Sequence, residues 1–161
     1  MITTLEQTIW DELHEIPDPE IPTINLVDLG IIHKIKVGEH ILVEMMPTFV
    51  GCPALDMMRR DIKQKLAHHG KPVNVKVVFD EVWTTERISA AGRKMLLAAG
   101  LAPPSRNNLI DVTVRRKPVS LECPLCHSAN VQMENMFGPT PCRAICYCND
   151  CHQPFEQFKA V

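Results

Sequence analysis

The feature that most constrains this chain is a pair of C-x-x-C motifs near its C-terminal end. The motifs are Cys123-Pro124-Leu125-Cys126 and Cys148-Asn149-Asp150-Cys151, and the 21 residues between them are close to zinc-ribbon spacing. Each motif forms a tight turn that directs two thiolates at one ion, and two such turns complete a closed tetrahedron. A segment of about 44 residues buries too little surface to fold unaided, so we expect its folding to depend on metal.

Zinc is the ion that this ligand pattern favours. We predict a structural Zn²⁺ held by Cys123, Cys126, Cys148 and Cys151, because four thiolates leave no open coordination position for catalysis. Ligation of an iron–sulfur cluster, or thiols that are only buried or redox-active, are the alternatives. Cys146 is expected to be a small buried residue, although it could compete for the ion, and for Cys142 burial and ligation are equally open.

Composition divides the chain in the same place as the cysteines. Of seven cysteines, only Cys52 precedes residue 120, and an odd number argues against a disulfide framework. Residues 1–117 carry 15 acidic and 15 basic side chains, whereas residues 118–161 carry four and two. We therefore predict two domains, 1–117 and 118–161, joined near residues 115–118. The acidic second domain argues against nucleic-acid binding, and its aromatic residues are expected to form a small core. These are Phe137, Tyr147, Phe155 and Phe158.

Hydrophobic periodicity predicts an α+β fold for the first domain. Helical spacing runs from about Thr4 to Glu15, and a second helix follows Pro53 and ends at Gly70. A third helix, capped by Ser89, ends at Gly100. Alternating residues predict an antiparallel hairpin, a third strand and a short final strand, so that helices pack on a small mixed sheet. The predicted strands are 31–37, 41–46, 73–79 and 110–114.

The N-terminal residues indicate where the protein acts. The first 20 residues contain no basic segment followed by an apolar run of signal-peptide length, and no stretch approaches the roughly 18 apolar residues that span a bilayer. We expect a soluble, cytoplasmic protein without membrane partners.

Cys52 lies between a predicted strand and the second helix, in Thr48-Phe49-Val50-Gly51-Cys52-Pro53. Unpaired amides and the helix dipole favour a thiolate at the first turn of a helix, Gly51 would permit close approach of another group, and Thr48 could donate to the sulfur. An isolated cysteine is, however, more often a small buried residue. No histidine pattern nominates a base beside this thiol, so we predict no catalytic residues. Asp18-Pro19-Glu20 is expected to form an acidic turn, with metal ligation as an alternative.

These residues also carry a family resemblance. The segments 18–22, 28–31 and 47–53 resemble the signature of the metal–sulfur cluster biosynthetic family that includes the SufT-like proteins. Later residues resemble the PaaD family, whose members are encoded with bacterial phenylacetyl-CoA epoxidases. They are Trp83-Thr84-Thr85, Gly92-Arg93, Gly100, Pro103-Pro104, the knuckle 123–128 and Phe137-Gly138-Pro139-Thr140-Pro141-Cys142. The resemblance covers nearly the whole chain; Cys146, where an aromatic residue is common, and Val131 depart from it.

The resemblance implies an accessory rather than catalytic role, in maturing the iron or iron–sulfur centre of the epoxidase. Cys52 would then contact iron or a cluster transiently, with Asp18, Glu20 and Thr48 lining the same pocket and Cys142 as a possible additional thiol ligand. The implied partners are the reductase or the di-iron oxygenase component, and a homodimer mate could supply further ligands. The alternative is a stoichiometric structural or electron-handling subunit of the monooxygenase complex.

Overall fold

A computed structural model describes residues 4–104 and 121–158 of the chain. The chain divides into two compact units, one ending at Gly92 and the other beginning at Arg93. This division is earlier than the one predicted after residue 117, because Leu101–Ala102 pairs with a strand of the C-terminal unit. The predicted join at 115–118 and the predicted strand at 110–114 lie outside the described residues.

The N-terminal unit contains a mixed three-stranded sheet. Its strands are β1 (Ile32–Val37), β2 (Ile41–Met45) and β3 (Val73–Val77), in the order β1-β2-β3. β1 and β2 form the predicted antiparallel hairpin, whereas β2 and β3 run parallel, as the helical crossover between them requires. The parallel pairing places the C-terminal ends of β2 and β3 at the same edge of the sheet. The mixed sheet of the predicted α+β fold is therefore confirmed.

Two helices cover this sheet. They are α1 (Thr4–Leu13) and α2 (Leu55–Leu66), and a 3-10 turn (Ala67–His69) extends α2. α1 contacts β1, α2 contacts β3, and the two helices contact one another. Their buried side chains recur at helical spacing and supply the apolar faces that hold helices and sheet together. These are Ile9 and Leu13 in α1 and Met58, Ile62 and Leu66 in α2.

The segment between α1 and β1 has little regular structure but is well packed. A bridge pairs Pro17 with Asn25, the amide of Leu26 donates to the Ile16 carbonyl, and that of Asp18 donates to the Ile24 carbonyl. Its apolar side chains are buried: Ile16, Ile21, Ile24, Leu26, Leu29 and Ile31. These bonds fix the backbone that carries Asp18 and Glu20.

The C-terminal unit is built on a four-stranded sheet. Its strands are β4 (Leu101–Ala102), β5 (Val131–Asn135), β6 (Arg143–Cys148) and β7 (Pro154–Phe158), in the order β4-β7-β6-β5. α3 (Ala90–Ala98) precedes β4, and the division between the units falls within this helix. Phe155 and Phe158 are buried as predicted, but Phe137 is 72% exposed, so its assignment to the core was wrong. Phe137 lies in the loop after β5, outside the alternation that turns strand residues inward.

No helix in the described parts of the chain is both long enough and apolar enough to cross a membrane.

Candidate functional site

The four cysteines of the C-x-x-C motifs converge in the C-terminal unit. The sulfur atoms of Cys123, Cys126, Cys148 and Cys151 all lie within 4.8 Å of one another. Cys123 Sγ is 3.7 Å from Cys151 Sγ, and Cys126 Sγ is 3.5 Å from Cys148 Sγ. Both distances are far too long for disulfides. They are close to the edge of about 3.8 Å in a tetrahedron whose sulfurs lie about 2.3 Å from a central zinc ion.

The two motifs adopt the same backbone turn. The amide of Cys123 donates to the Ser128 carbonyl at 2.9 Å, and the amide of Cys148 donates to the Gln153 carbonyl at 3.0 Å. The residue after each second cysteine has positive φ, 62° at His127 and 57° at His152. Histidine is among the side chains that enter this left-handed region more often than most. The repeated turn explains both histidines by backbone conformation, without a role as ligands.

Backbone amides are directed at the sulfur atoms. Donation from the amides of Cys151 and Asp150 lowers the pKa of the Cys148 thiol to about 7. Burial has the opposite effect on Cys151 and, together with its sulfur neighbours, raises its pKa to about 12. Four thiolates therefore do not coexist near neutral pH without a cation. A bound divalent ion would displace the remaining thiol protons, as thiolate metal sites do.

The two cysteines between the motifs lie outside this four-sulfur group. Cys146 is fully buried on the face of β6 that also carries Ala144 and Cys148, and burial raises its pKa to about 11. Its place among the core residues of the unit agrees with the expectation of a small buried side chain. Cys142 is also buried, with its sulfur 3.2 Å from the Thr140 hydroxyl. A ligand role for Cys142 remains a prediction.

Cys52 is half-buried in the loop between β2 and α2. The helix begins at Leu55 with Ala54 as its N-cap, so Cys52 precedes the first turn in which the sequence placed it. Its amide donates to the Phe49 carbonyl at 3.2 Å, and its carbonyl accepts from the Leu55 amide at 3.4 Å. Gly51 permits a close approach, as expected, but of the Phe49 ring, which an added Cβ would meet at 3.0 Å.

The other predicted contacts of an iron cargo lie in two loops of the N-terminal unit. Thr48 is buried in the same loop as Cys52. Asp18 is also buried, and its Oδ1 accepts from the amides of Glu20 at 2.9 Å and Ile21 at 2.8 Å. This is the acidic turn expected from the sequence, and it fixes the backbone position of the half-buried Glu20. A single pocket shared by all four residues remains a prediction.

The structure gives the Asp28-Leu29-Gly30 motif a role that sequence reasoning did not find. The backbone carbonyls of these residues accept from the Ser89 amide at 2.9 Å, the Trp83 indole at 3.2 Å and the Arg87 guanidinium at 3.1 Å. The Asp28 carboxylate also accepts from the Ser89 hydroxyl. Two motifs that are far apart in sequence therefore build one structural junction.

Glycines allow the close packing at this junction. Gly30 has φ 75°, and an added Cβ would lie 2.6 Å from the Arg87 carbonyl oxygen. At Gly92, an added Cβ would lie 2.5 Å from the Asp28 carbonyl oxygen. Ser89 accepts from the Gly92 amide at 2.8 Å, which confirms its predicted capping role. The presence of Trp, Ser and Gly at these positions is therefore explained by packing.

Comparison with known proteins places these features in a family. Residues 110–159 match the PaaD zinc beta ribbon domain, and residues 6–78 match the iron–sulfur cluster assembly protein family. The chain is 33% identical over 155 residues to an Escherichia coli (strain K12) protein whose name describes it as a subunit of 1,2-phenylacetyl-CoA epoxidase. That alignment covers 95% of this chain and 92% of the relative. The chain belongs to the PaaD family.

Further similarities of this PaaD-family chain are confined to its N-terminal part. It is 33% identical over 88 residues to an Fe-S protein maturation auxiliary factor of Porphyromonas gingivalis (strain ATCC BAA-308 / W83), covering 52% of this chain and 83% of that one. A crystal structure of domain of unknown function DUF59 from Bacillus anthracis aligns with TM-score 0.53 and 25% identity. It covers 56% of this chain and 90% of the other. The family assignment and the α+β fold predicted from the sequence are thus confirmed.

Proposed function

We propose that this protein is a non-enzymatic assembly factor that helps mature an iron or iron–sulfur centre of the phenylacetyl-CoA epoxidase. One observation carries the proposal: a single chain joins an iron–sulfur assembly module, residues 6–78, to a PaaD zinc ribbon, residues 110–159. The first module matches a family defined by cluster assembly. The second links the chain to the PaaD proteins of one oxygenase system, and so points to a dedicated client.

Zinc in the C-terminal unit would have a structural role. Cys123, Cys126, Cys148 and Cys151 fit the ion, because their sulfurs lie at nearly tetrahedral separations and backbone amides are directed at them. When bound, zinc supplies a cross-link between the two turns and, with four thiolate ligands, leaves no position for a substrate. The cysteines hold the turns together, and the sheet can then present a fixed surface to a partner.

Cys52 is the residue through which we propose that iron cargo is held. A half-exposed thiol in a loop suits transient binding, since incompletely coordinated iron exchanges readily between sulfur ligands. Asp18, Glu20 and Thr48 would line the same pocket. One thiolate cannot hold a cluster alone, so the remaining ligands would come from Cys142, a second copy of this chain, small thiols or the client. A reducing cytoplasm would keep all these thiols available.

The sheet edge near Cys52 has features that a protein client could cover. The loops after β2 and β3 leave this shared edge, and they expose Val50 by 75%, Phe79 by 56% and Val82 by 76%. Exposed apolar side chains that cluster in this way are typical of surfaces that bind proteins. The reductase or the di-iron oxygenase component of the epoxidase would be the partner.

A test of the cargo hypothesis is anaerobic purification followed by iron, zinc and sulfide analysis of wild type, Cys52→Ala and Cys142→Ala. We expect wild type to contain zinc and substoichiometric iron, and Cys52→Ala to retain the zinc but lose the iron. Epoxidase matured in cells that carry Cys52→Ala should have reduced activity and a reduced iron content. Zinc alone in all three proteins, with full epoxidase maturation by Cys52→Ala, would exclude iron handling at Cys52.

A second candidate function is a stoichiometric structural or electron-handling subunit of the monooxygenase. It is favoured by the name of the Escherichia coli relative, a subunit of the epoxidase, to which the similarity extends over 95% of this chain. Purification of active epoxidase separates the two functions. An assembly factor should be absent from the turnover-competent complex, whereas a subunit should remain in it at one copy per catalytic unit.

A further inference from the structure

A second group of metal-ligating side chains lies in the N-terminal unit, where α1 meets the end of α2. Glu12 belongs to α1, and His68 and His69 belong to the 3-10 turn that follows α2. The carboxylate and the two imidazoles each offer one ligand atom, and these atoms all lie within 4.8 Å of one another. Neither family match assigns a role to this group.

The distances suit a single small cation. His68 Nε2 lies 3.1 Å from one carboxylate oxygen of Glu12, and His69 Nε2 lies 2.9 Å from the other. In a tetrahedral zinc site, with nitrogen and oxygen ligands about 2.0–2.1 Å from the ion, neighbouring ligand atoms lie about 3.3 Å apart. The three side chains need only small adjustments to reach that geometry.

The hydrogen bond on the far side of His68 directs its free nitrogen towards Glu12. His68 Nδ1 lies 2.9 Å from the Lys65 carbonyl oxygen, which can only accept, so Nδ1 carries the proton. In the neutral ring, the Nε2 lone pair then faces a carboxylate oxygen, which is also an acceptor. Metal-bound histidines show this arrangement, in which the outer ring nitrogen donates to a backbone carbonyl and the inner one faces the ion.

A proton on each ring would satisfy the carboxylate less well than one metal ion. The two imidazole rings lie with their centroids 4.1 Å apart and an angle of 36° between their planes. Two imidazolium ions at that separation repel each other while they share the charge of one carboxylate. One divalent ion between the three side chains accepts both lone pairs and places no charge on either ring.

Burial indicates a site that is closed on one side and open on the other. The side chains of Glu12 and His69 are 18% and 12% exposed, whereas that of His68 is 60% exposed. Three protein ligands and an open side leave room for water in the remaining position. We propose that Glu12, His68 and His69 bind a divalent transition-metal ion of the zinc class, separate from both the four-cysteine group and Cys52, and that this ion fixes α1 to the end of α2.

The test uses the full-length, untagged chain with one equivalent of zinc already in the ribbon. Calorimetric titration with Zn²⁺ should show a second equivalent in wild type. Glu12→Gln, His68→Gln and His69→Gln should each weaken it by at least the roughly 10–100-fold that changes to outer-shell groups cause. His14→Gln is the matched control, because His14 is an exposed histidine one residue beyond α1. His68→Gln changes a largely exposed side chain, so it should fold like wild type.

Co²⁺ as the titrant distinguishes this site from the thiols. The second equivalent should give the ligand-field spectrum of nitrogen and oxygen ligands without sulfur-to-metal charge transfer, and Cys52→Ala should leave it unchanged. The proposal is overturned if wild type binds only one equivalent of Zn²⁺, if the three Gln variants bind like His14→Gln, or if Cys52→Ala abolishes the second equivalent.

Discussion

At the scale of single residues, the C-terminal knuckles show how backbone conformation can imitate a functional signal. A histidine follows the second cysteine of each motif, and histidine is a common zinc ligand. The structure instead gives His127 and His152 positive φ within two copies of one turn. The sequence identified the four sulfur ligands through their spacing, but it contained no signal for the left-handed conformation of the residues that follow.

Replacement of His127 separates the two explanations. Because a left-handed residue without a Cβ avoids steric strain, we expect His127→Gly to retain zinc and to be as stable as wild type or more so. His127→Val should lower the free energy of unfolding by about 1–2 kcal/mol, since a β-branched side chain is poorly accommodated there. Urea unfolding of the zinc-loaded protein measures both effects. Loss of zinc from His127→Gly would instead identify the imidazole as a ligand.

Removal of single cysteines tests the assignment of the ligands. Cys151→Ala should lose zinc and leave the C-terminal sheet unstable, because three thiolates no longer close the site. Cys146→Ala should retain one zinc per chain and cost about 1 kcal/mol, the consequence of a small cavity in the core. Zinc content after gel filtration and thermal unfolding are the measurements. Equal zinc loss in both variants would mean that Cys146 is also a ligand.

At the scale of elements, local pattern predicted what local contacts form. The hairpin of β1 and β2, the helix after Pro53 and the Ser89 cap all follow from residues within one or two turns of each other. The junction between the Asp28-Leu29-Gly30 turn and Trp83 could not be found this way, because its hydrogen bonds join residues more than 50 positions apart. The exposed position of Phe137 was missed because composition alone does not show where a strand ends.

Glycine substitutions test the junction. At Gly30, an added Cβ meets positive φ and the Arg87 backbone at once, so Gly30→Ala should reduce the free energy of unfolding by about 2 kcal/mol or more. Gly38→Ala is the matched control, because the turn between β1 and β2 has open space around this position. Chemical unfolding of both variants provides the comparison. Equal stability of the two would mean that the turn relaxes without cost.

At the scale of the whole molecule, the two units depend on different sources of stability. The N-terminal unit buries large aliphatic side chains from two helices and a sheet, including Ile9, Leu13, Ile62 and Leu66. The core of the C-terminal unit is small and contains three cysteines among its seven buried residues. A unit of that kind requires a cross-link, which the metal would supply. The division of labour proposed here, with cargo on one unit and client recognition on the other, is compatible with their separate stabilities.

Metal removal should therefore affect the two units unequally. Treatment of the zinc-loaded protein with a strong chelator under reducing conditions should unfold the C-terminal unit, because its four thiols cannot all remain ionised and close together without a cation. The N-terminal unit should retain its helices, apart from loosening between α1 and α2 if Glu12, His68 and His69 also lose an ion. Amide hydrogen exchange would show protection lost in β5, β6 and β7 and kept in β1, β2 and β3, and returned zinc should restore it. Loss of protection throughout the chain would mean that the N-terminal unit does not fold without the ribbon.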